Sequence, residues 1–463
     1  MGIKIVSLNS GTTVFENESE KYFVPASNMK NFTVAAAIER LTPDFKFVTS
    51  VYAAALPDTS GVIKGDLRIY GRGDVSISTA FNGVNAPDDD LSTGGSTPDG
   101  AYYKGIDKLV DKIAAAGVKR IEGGIVGDES YFKGNAIPYT WEWSDLQWYY
   151  GAEISALPIN DNAVDLSVKP GSSGGPCIVT VSPPNTIVQV VNLCSTAGGT
   201  QTLRVVKRLD RNILEVSGTM PPEDKGFTGS VTFTRPAALF VALLKQRLEA
   251  KGIVVTGGSR LLASTVTTDP AKIEITKLES PPLSVIAAKT MKPSQNMYTE
   301  TILWTLGEQA SRRTSPYADS SALGLAAVKG FTKQIGIPHD AVMQYDGSGL
   351  SRRDLVTPSA IAALYTFMAT KSRYSSVWLN SLTIGGVDGT LGRRFRGTAA
   401  EGNIRGKSGT LDQVSALSGY VTTAGGERLA VSIIVNGVAE TRDRTSLTDD
   451  IVVYLANFTG KIN

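Results

Sequence analysis

The chain has 463 residues, of which 42% are hydrophobic and 19% charged, so it has material for about two to four globular domains and is too apolar to be disordered. Its 46 Lys and Arg residues balance 44 Asp and Glu residues, which leaves no broad basic field and excludes nucleic acid as an expected partner. The single histidine, His339, excludes His-rich metal sites, and a Ser-His-Asp triad would have to use that one residue. If the protein is a hydrolase, another group must carry its protons.

Hydrophobic periodicity predicts the elements of the first half of the chain. Residues 1 to about 60 are predicted to form a strand hairpin and then a helix. From about residue 159 to 235 short alternating runs replace the helical period and indicate a small β module. The predicted elements of this half are a helix over 27–41, a strand over 63–70, a polar loop over 74–100, a helix over 102–116 and a strand over 118–126.

The second half returns to α/β patterns. A helix is predicted over 236–251; Gly252 ends it, and a strand follows over 253–256. The β module is therefore flanked on both sides by α/β segments, which indicates nested insertions. The longest apolar run, residues 237–244, is far shorter than a spanning helix, and we expect no transmembrane segment. Beyond residue 280 the predicted elements are helices over 284–289, 297–306, 321–335 and 358–370, strands over 419–423 and 429–436, and a terminal helix.

The two cysteines bear on the cellular compartment. Cys177 and Cys194 lie 17 positions apart in the β module, where a disulfide and two buried thiols both fit the pattern. The first residues alternate like a strand and no signal peptide is visible, which fits a processed export protein as well as a cytoplasmic one.

Ser27 and Lys30 form the first segment with catalytic potential. They begin a predicted helix, and residues three apart lie on one face, so the Lys30 amine can reach the Ser27 hydroxyl. The helix N-terminus favours negative charge that develops at the serine. A lysine acts as a base only when neutral, so burial or a neighbouring cation would have to lower its pKa. The alternative is a capping serine beside a solvated lysine.

Two further segments have the same kind of composition. Ser294 and Asn296 open the helix predicted over 297–306, where the hydroxyl could relay a proton and the amide could hold a substrate carbonyl; helix capping is the alternative. Lys407, Ser408 and Gly409 lead into the C-terminal strands, with Lys407 and Gly409 on one side of a strand. A cation, a hydroxyl and a bare backbone could clamp a carboxylate, whereas the alternative is a glycine turn.

Two other motifs fail on their context. Residues 171–175 (GSSGG) match a nucleophile elbow, but Pro176 and a strand follow where a helix is required. Residues 406–408 (GKS) match the end of a phosphate-binding loop, which would need glycine at the position of Glu401.

The three surviving segments have the order and contexts of Ser-x-x-Lys, Ser-x-Asn and Lys-[Thr/Ser]-Gly, the motifs of the serine penicillin-recognising enzymes. The similarity extends over nearly the whole chain. The spacing of 267 positions from Ser27 to Ser294 is also similar to that of one class of these enzymes, which carries two nested insert domains between the two motifs. The chain is thus similar to the class C low-molecular-mass penicillin-binding proteins, the D-Ala-D-Ala carboxypeptidases and endopeptidases of peptidase family S13. The resemblance is also carried by residues 25–28 (PASN), 346–352 (DGSGLSR), 386–391 (GVDGTL) and 407–420 (KSGTLDQVSALSGY).

This resemblance implies a role for each matching residue. Ser27 would be the acylated nucleophile, Lys30 its base, and Ser294 and Asn296 the proton relay and substrate amide site. Lys407, Ser408 and Gly409 would bind the terminal carboxylate, with serine at Ser408 in place of the commoner threonine. The backbone N–H groups of Ser27 and Thr410 would form the oxyanion hole. Lysines and hydroxyls replace histidine in this scheme, which agrees with the histidine count.

The resemblance also implies a specificity site. Asp145, in the Trp-Glu-Trp-Ser-Asp segment 141–145, would hold the free ammonium group of a diamino acid at the third position of the stem peptide. Arg352 and Ser415 would meet the neighbouring carboxylate. A carboxylate beside aromatic rings lies in a lowered dielectric, where it separates cationic from neutral side chains more strongly. The alternative is a surface aspartate beside two tryptophans that pack a domain interface.

The implied fold is α/β (α+β), an antiparallel sheet between helices with two nested insert domains. The catalytic domain would comprise 1–62 and 283–463, the inserted α/β domain 63–158 and 256–282, and the β module 159–255. The expected reaction is hydrolysis of D-Ala-D-Ala stem peptides of peptidoglycan, without cofactor or metal, by an extracytoplasmic chain trimmed of its signal peptide and acylated by β-lactams. The alternatives are a β-lactamase or D-amino-acid esterase on this scaffold, a non-catalytic peptidoglycan-binding module, and an unrelated α/β protein.

Overall fold

The computed structural model describes residues 1–82, 100–262, 272–310 and 318–460. Part of the predicted polar loop, residues 83–99, lies outside these residues. Its described part contains a short helix that the sequence did not predict. The strands are β1 Gly2–Ser7, β2 Thr13–Asn17, β3 Val48–Ala53, β4 Val62–Ile63, β5 Leu67–Tyr70, β6 Arg120–Ile121, β7 Ile125–Asp128, β8 Ala163–Lys169, β9 Ile178–Ser182, β10 Gln189–Thr196, β11 Arg204–Lys207, β12 Ile213–Met220, β13 Phe227–Thr232, β14 Val254–Val255, β15 Ser259–Leu261, β16 Ile273–Glu279, β17 Val342–Met343, β18 Leu355–Val356, β19 Thr383–Ile384, β20 Arg405–Leu411, β21 Val414–Thr422 and β22 Arg428–Asn436.

After residue 280 the described helices follow the predicted pattern closely, except for a short helix, Ser375–Ser381, that the sequence did not predict. A 3-10 turn, Ala26–Met29, precedes the first long helix, so the helix predicted over 27–41 consists of two parts. No described helix is both long and apolar enough to span a bilayer. The helices are α1 Lys30–Leu41, α2 Thr79–Asn82, α3 Lys104–Ala115, α4 Pro236–Ala250, α5 Leu283–Met291, α6 Asn296–Ala310, α7 Ser320–Gln334, α8 Pro358–Thr370, α9 Ser375–Ser381 and α10 Thr441–Asn457.

A six-stranded antiparallel sheet organises the catalytic part, in the order β19-β20-β21-β22-β1-β2. Successive residues of β22 point to opposite faces: Ala430 and Ile434 pack with helix α8, whereas Val431 and Ile433 pack with α10. Both faces are therefore covered by helices. The predicted antiparallel sheet between helices is confirmed.

The inserted α/β part has a five-stranded sheet, in the order β15-β7-β5-β3-β16, and a small parallel sheet, β14-β6-β4. Three of its elements, β3, α4 and β14, lie outside the predicted segments 63–158 and 256–282. β3 precedes residue 63 but pairs with β5 and β16, and α4 precedes residue 256 but packs against α3, β7 and β15. Because strand pairing and packing decide membership, we propose the bounds 48–158 and 236–279 for this domain.

With these bounds the β module would comprise residues 159–235; its strands form one sheet ordered β10-β12-β11 and another ordered β13-β8-β9. The structure decides between the two readings of its cysteines, since Cys177 and Cys194 form a disulfide whose Cα atoms are 5.3 Å apart. Both cysteines are buried in the apolar core shared with the inserted domain. The bond therefore joins the start of β9 to β10.

Candidate active site

Ser27 lies in the 3-10 turn where the chain enters helix α1, and two glycines hold its backbone in place. A Cβ atom on Gly349 would lie 1.9 Å from the carbonyl oxygen of Ala26, and one on Gly409 would lie 3.0 Å from the nitrogen of Ser27. Ala26 itself has a left-handed backbone, with φ of 48°. Only residues without a side chain allow both segments to approach this closely, so the serine is fixed between the 346–351 loop and β20.

Lys30 is wholly buried and its amine has three partners. Nζ donates to Ser27 Oγ at 2.9 Å, to Asn296 Oδ1 at 2.6 Å and to the carbonyl oxygen of Ser348 at 2.7 Å. Burial lowers the pKa of Lys30 from 10.5 to about 7, although Asp346, Glu300 and Asp354 oppose this shift. The lysine thus reaches the serine, as the i, i+3 spacing predicts, and is poised between its charged and neutral forms at neutral pH.

A group of buried acids lies behind this lysine. Glu300 accepts hydrogen bonds from the backbone N–H groups of Gly347 and Ser348, and Asp346 accepts from Trp141 Nε1 at 2.8 Å. Burial first, and then the charge of Asp346, raises the pKa of Glu300 to about 8. These acids hold the loop whose Ser348 carbonyl meets Lys30, and they moderate the fall in the lysine's pKa.

Ser294 and Asn296 lie at the junction of α5 and α6. Ser294 adopts a left-handed backbone, with φ of 64°, and its side chain lines the same cleft as Ser27. Asn296 points Oδ1 at Lys30, while Nδ2 donates to the carbonyl oxygen of Tyr150 at 2.9 Å. Because Tyr150 follows the inserted domain's Trp-rich segment, that domain fixes which way the amide faces.

Lys407 to Thr410 lie on β20, which pairs with β19 at Arg405 and Gly406; beyond them this edge of β20 pairs with no strand among the described residues. Lys407 is wholly buried, and its Nζ donates to the Ser408 carbonyl at 2.7 Å. Burial, and then the nearby Lys30, holds the pKa of Lys407 well below 10.5. Ser408 Oγ is 2.6 Å from Thr390 Oγ1, and both side chains face the cleft.

A cleft of about 560 Å³ joins these segments. Behind its lining lie Lys30, Lys407 and Gly409. His339 is 80% exposed and does not line this cleft. The lining includes eight side chains that matter for the chemistry: Ser27, Asp145, Ser294, Asn296, Arg352, Arg393, Ser408 and Thr410.

Of the three residues assigned to specificity, Asp145 and Arg352 line the cleft and Ser415 does not. Asp145 is half-buried and lines the cleft, and its Oδ2 accepts from the backbone N–H of Glu142 at 3.2 Å. Arg352 pairs with Glu142 Oε1 at 3.2 Å and lies 3.7 Å from Asp412 Oδ2. Ser415 is 4% exposed and accepts from Arg444 Nε at 3.2 Å, so it lies beside the cleft and is not part of its lining.

Several residues near the site were not predicted from the sequence. The segments 346–352 and 386–391 stand out in the sequence through their resemblance, but no role was drawn from it. The Ser348 carbonyl, the Glu300 carboxyl and the Tyr150 carbonyl carry no local signal, because a backbone group or a lone acid looks the same in any helix or loop.

In this cleft, at the edge of an antiparallel sheet, a buried lysine is hydrogen-bonded to a serine one helical turn away, and no histidine lines the site. This arrangement defines the class of the penicillin-recognising serine enzymes. The chain matches the D-Ala-D-Ala carboxypeptidase 3 (S13) family over residues 1–458. It therefore belongs to that family and is a serine-type hydrolase, which confirms the resemblance drawn from the sequence.

Individual relatives agree over nearly the full length. The chain is 30% identical to the D-alanyl-D-alanine carboxypeptidase of Actinomadura sp. (strain R39) over 472 residues, covering 99% of this chain and 81% of the relative. Its fold is similar to the crystal structure of penicillin binding protein 4 (dacB) from Haemophilus influenzae, with a TM-score of 0.79, 22% identity and coverage of 99% and 96%. The complex of that protein with a novel β-lactam matches with a TM-score of 0.74, 22% identity and coverage of 98% and 96%.

Proposed function

We propose that this protein removes the terminal D-alanine from D-Ala-D-Ala stem peptides of peptidoglycan through an acyl-enzyme on Ser27. The observation that carries the proposal is the Lys30 amine, 2.9 Å from Ser27 Oγ, with a pKa lowered to about 7 by burial. A base of this pKa takes the hydroxyl proton readily at neutral pH.

The hydrogen bonds of Lys30 match the needs of a neutral amine. Such an amine has two N–H donors, which the Asn296 Oδ1 atom and the Ser348 carbonyl accept, and one lone pair, which is left to face Ser27. As Ser27 Oγ attacks the carbonyl carbon, its proton moves to Lys30. The ammonium that forms then donates to all three neighbours, so no group has to move.

The tetrahedral intermediate places a negative charge on the former carbonyl oxygen. We assign its stabilisation to the backbone N–H groups of Ser27 and Thr410, the second of which lies on β20 beside the cleft. In the described parts of the chain the Ser27 N–H has no acceptor, as expected for the first turn of a helix. The proton on Lys30 passes to the departing D-alanine nitrogen, with Ser294 as the relay, and the C–N bond breaks.

Water completes the reaction. It attacks the ester carbon, gives its proton to Lys30, and the shortened peptide leaves with a new carboxylate while Ser27 regains its proton. Benzylpenicillin would acylate Ser27 in the same way. Its leaving group stays tethered after the β-lactam ring opens, so it blocks the approach of water.

The test of this function is release of D-alanine from an N-acylated peptide that ends in D-Ala-D-Ala. We expect the protein to liberate one D-alanine per peptide and to leave the peptide ending in L-Ala-L-Ala intact. Mass spectrometry after incubation with benzylpenicillin should show one stable adduct. Rapid release of opened penicillin, with the D-Ala-D-Ala peptide uncleaved, would contradict the proposal and favour a β-lactamase.

We also propose an extracytoplasmic location, where peptidoglycan lies. The disulfide between Cys177 and Cys194 supports it, because such bonds persist in oxidising compartments.

Asp145 is proposed to select a cationic side chain at the third position of the stem peptide. Its half-buried carboxylate lines the cleft close to Tyr149 and Tyr150, and a charge in such surroundings is less screened than one in water. Arg352, which pairs with Glu142, would meet a carboxylate of the same diamino acid. Ser415 is proposed to support that contact from behind the lining, through its bond with Arg444.

A comparison of two peptides tests the role of Asp145. The protein is expected to hydrolyse a D-Ala-D-Ala peptide with a free side-chain amine about 5–50-fold faster than its acetylated form, and Asp145→Asn is expected to lose most of this preference. Asp412→Asn is the matched comparison: this carboxylate also lines the cleft but is 92% exposed, so its loss should change the ratio much less. A preference that survives Asp145→Asn would refute the assignment.

A further inference from the structure

We propose that Arg393 is the exposed cation that recognises the terminal carboxylate of the substrate. The inference deepens the proposed function, on which it rests, by adding a residue that none of the sequence motifs contains. Arg393 lines the cleft, and its side chain is exposed.

The lysine of the third motif is poorly placed to bind a carboxylate directly. Lys407 has no exposed surface, its amine donates to the Ser408 carbonyl, and it is absent from the lining of the cleft. Its neighbour Lys30 is a second buried amine, so the two repel each other when both are charged. A carboxylate entering the cleft therefore meets the hydroxyls of β20 before it meets Lys407.

Arg393 follows Thr390, whose hydroxyl contacts one of those β20 hydroxyls, by three residues. The 3-10 turn Gly389–Leu391 continues past its end, because Gly392 N–H donates to the Gly389 carbonyl and Arg394 N–H to the Leu391 carbonyl, both at 3.0 Å. Residues three apart are eclipsed in this geometry, which places Arg393 on the same face as Thr390. Thr390 Oγ1 is 2.6 Å from Ser408 Oγ, so the guanidinium and both hydroxyls belong to one end of the cleft.

The contacts that anchor this turn are made by the neighbours of Arg393, which leaves the Arg393 side chain available for a ligand. Arg394 binds Asp449 of α10, and the backbone N–H of Thr390 donates to the Lys292 carbonyl at 3.0 Å. Among the residues that the structure describes, no carboxylate forms an ion pair with Arg393. A guanidinium without a partner, close to two hydroxyls, can bind a carboxylate through two parallel hydrogen bonds.

The other cation of the cleft is already engaged. Arg352 pairs with Glu142 and lies near Asp412, at the far end of β20. Asp412 directly follows β20 and is four positions from Ser408, roughly 13 Å at the usual strand rise. The two ends thus differ in charge: at one end the cation has no ion-pair partner among the described residues, and at the other the cation lies among carboxylates. A peptide bound along β20 would place its C-terminal carboxylate at the Arg393 end.

Binding to a protein without its nucleophile tests this directly. In the Ser27→Ala background, calorimetry compares an N-acylated D-Ala-D-Ala peptide with the same peptide carrying a C-terminal amide. The acid is expected to bind more tightly, and adding Arg393→Gln is expected to weaken the acid about tenfold or more while leaving the amide within twofold. Arg393→Lys should recover part of the loss, since it restores the charge without the bidentate geometry.

Arg396→Gln is the matched control, because Arg396 is an exposed arginine of the same loop whose Nε donates to the Gly392 carbonyl and which does not line the cleft. It should bind the acid as the background protein does. Equal binding of acid and amide to the background protein, or an Arg393→Gln protein that keeps the preference for the acid, would overturn the inference. Failure of the proposed function would appear separately, in the release of D-alanine, which this binding experiment does not measure.

Discussion

Replacing Ser27 with alanine is expected to abolish both the benzylpenicillin adduct and the release of D-alanine. The change removes the nucleophilic hydroxyl and keeps the backbone N–H assigned to the oxyanion hole, and loss of a nucleophile of this kind lowers turnover by up to about 10⁶. Mass spectrometry of the intact protein and a D-alanine assay measure the two effects. The thermal midpoint should change by a few degrees at most, because the change deletes one hydroxyl and its hydrogen bond with Lys30.

Ser173→Ala is the control for this experiment. Ser173 is exposed in the β module, in the segment whose sequence resembles a nucleophile elbow. The structure places a strand, β9, after that segment, where an elbow needs a helix. The Ser173→Ala protein should therefore be labelled as fully as the unchanged protein. An adduct that persists in Ser27→Ala would exclude Ser27 as the acylated residue.

Replacing Lys30 should slow acylation of Ser27 by about 10²–10⁴, the effect expected for loss of a general base. Lys30→Met keeps much of the buried aliphatic volume and removes the base. Lys30→Arg keeps the charge and the donors but holds its proton at every accessible pH. Stopped-flow acylation by a chromogenic β-lactam measures both variants. A Lys30→Arg protein that reacts within tenfold of the original rate would show that charge suffices and that proton transfer to this residue is not required.

The pH dependence gives a second measurement on the same residue. Burial lowers the pKa of Lys30 to about 7, so its neutral form is scarce below that pH and dominant above it. The acylation rate should therefore rise about tenfold per pH unit up to about pH 7 and then level off. Both Lys30 variants should lose this rise. A rate that falls with increasing pH over the same range would contradict a neutral-lysine base.

The parts of the site that could be predicted from the sequence are those with local geometry. Ser27 and Lys30 meet because they are three residues apart on one helical turn, and Asn296 follows a recognisable helix start. The carboxyl of Glu300 could not be predicted, because its burial depends on the 346–351 loop, which arrives from 46 residues or more along the chain. An acidic residue on a helix normally faces solvent, and only packing shows that this one does not.

The same division holds for the fold. The long helices after residue 280 and the strand β22 were predictable from the pattern and length of their own apolar runs. The domain to which β3 and α4 belong could not be predicted. The sequence of a short apolar strand, or of a helix buried on several sides, does not indicate which elements it packs against. Ser415 illustrates the effect of register: it shares the α10 side of β21 with Leu417, and there it meets Arg444.

The pairing of β3 with β16 has a consequence for how the chain assembles its active site. The bond between Lys30 and Asn296 joins residues 266 positions apart, a long loop to close from an unfolded chain. Val48 and Glu279 are register partners, so once the insertion has folded only about 35 residues outside it separate the two ends of that bond. The shorter loop lowers the entropic cost of closure by about 1.8 kcal/mol on a logarithmic scaling. If the segment between β3 and β16 folds first, it would therefore bring the two halves of the catalytic domain within reach of each other.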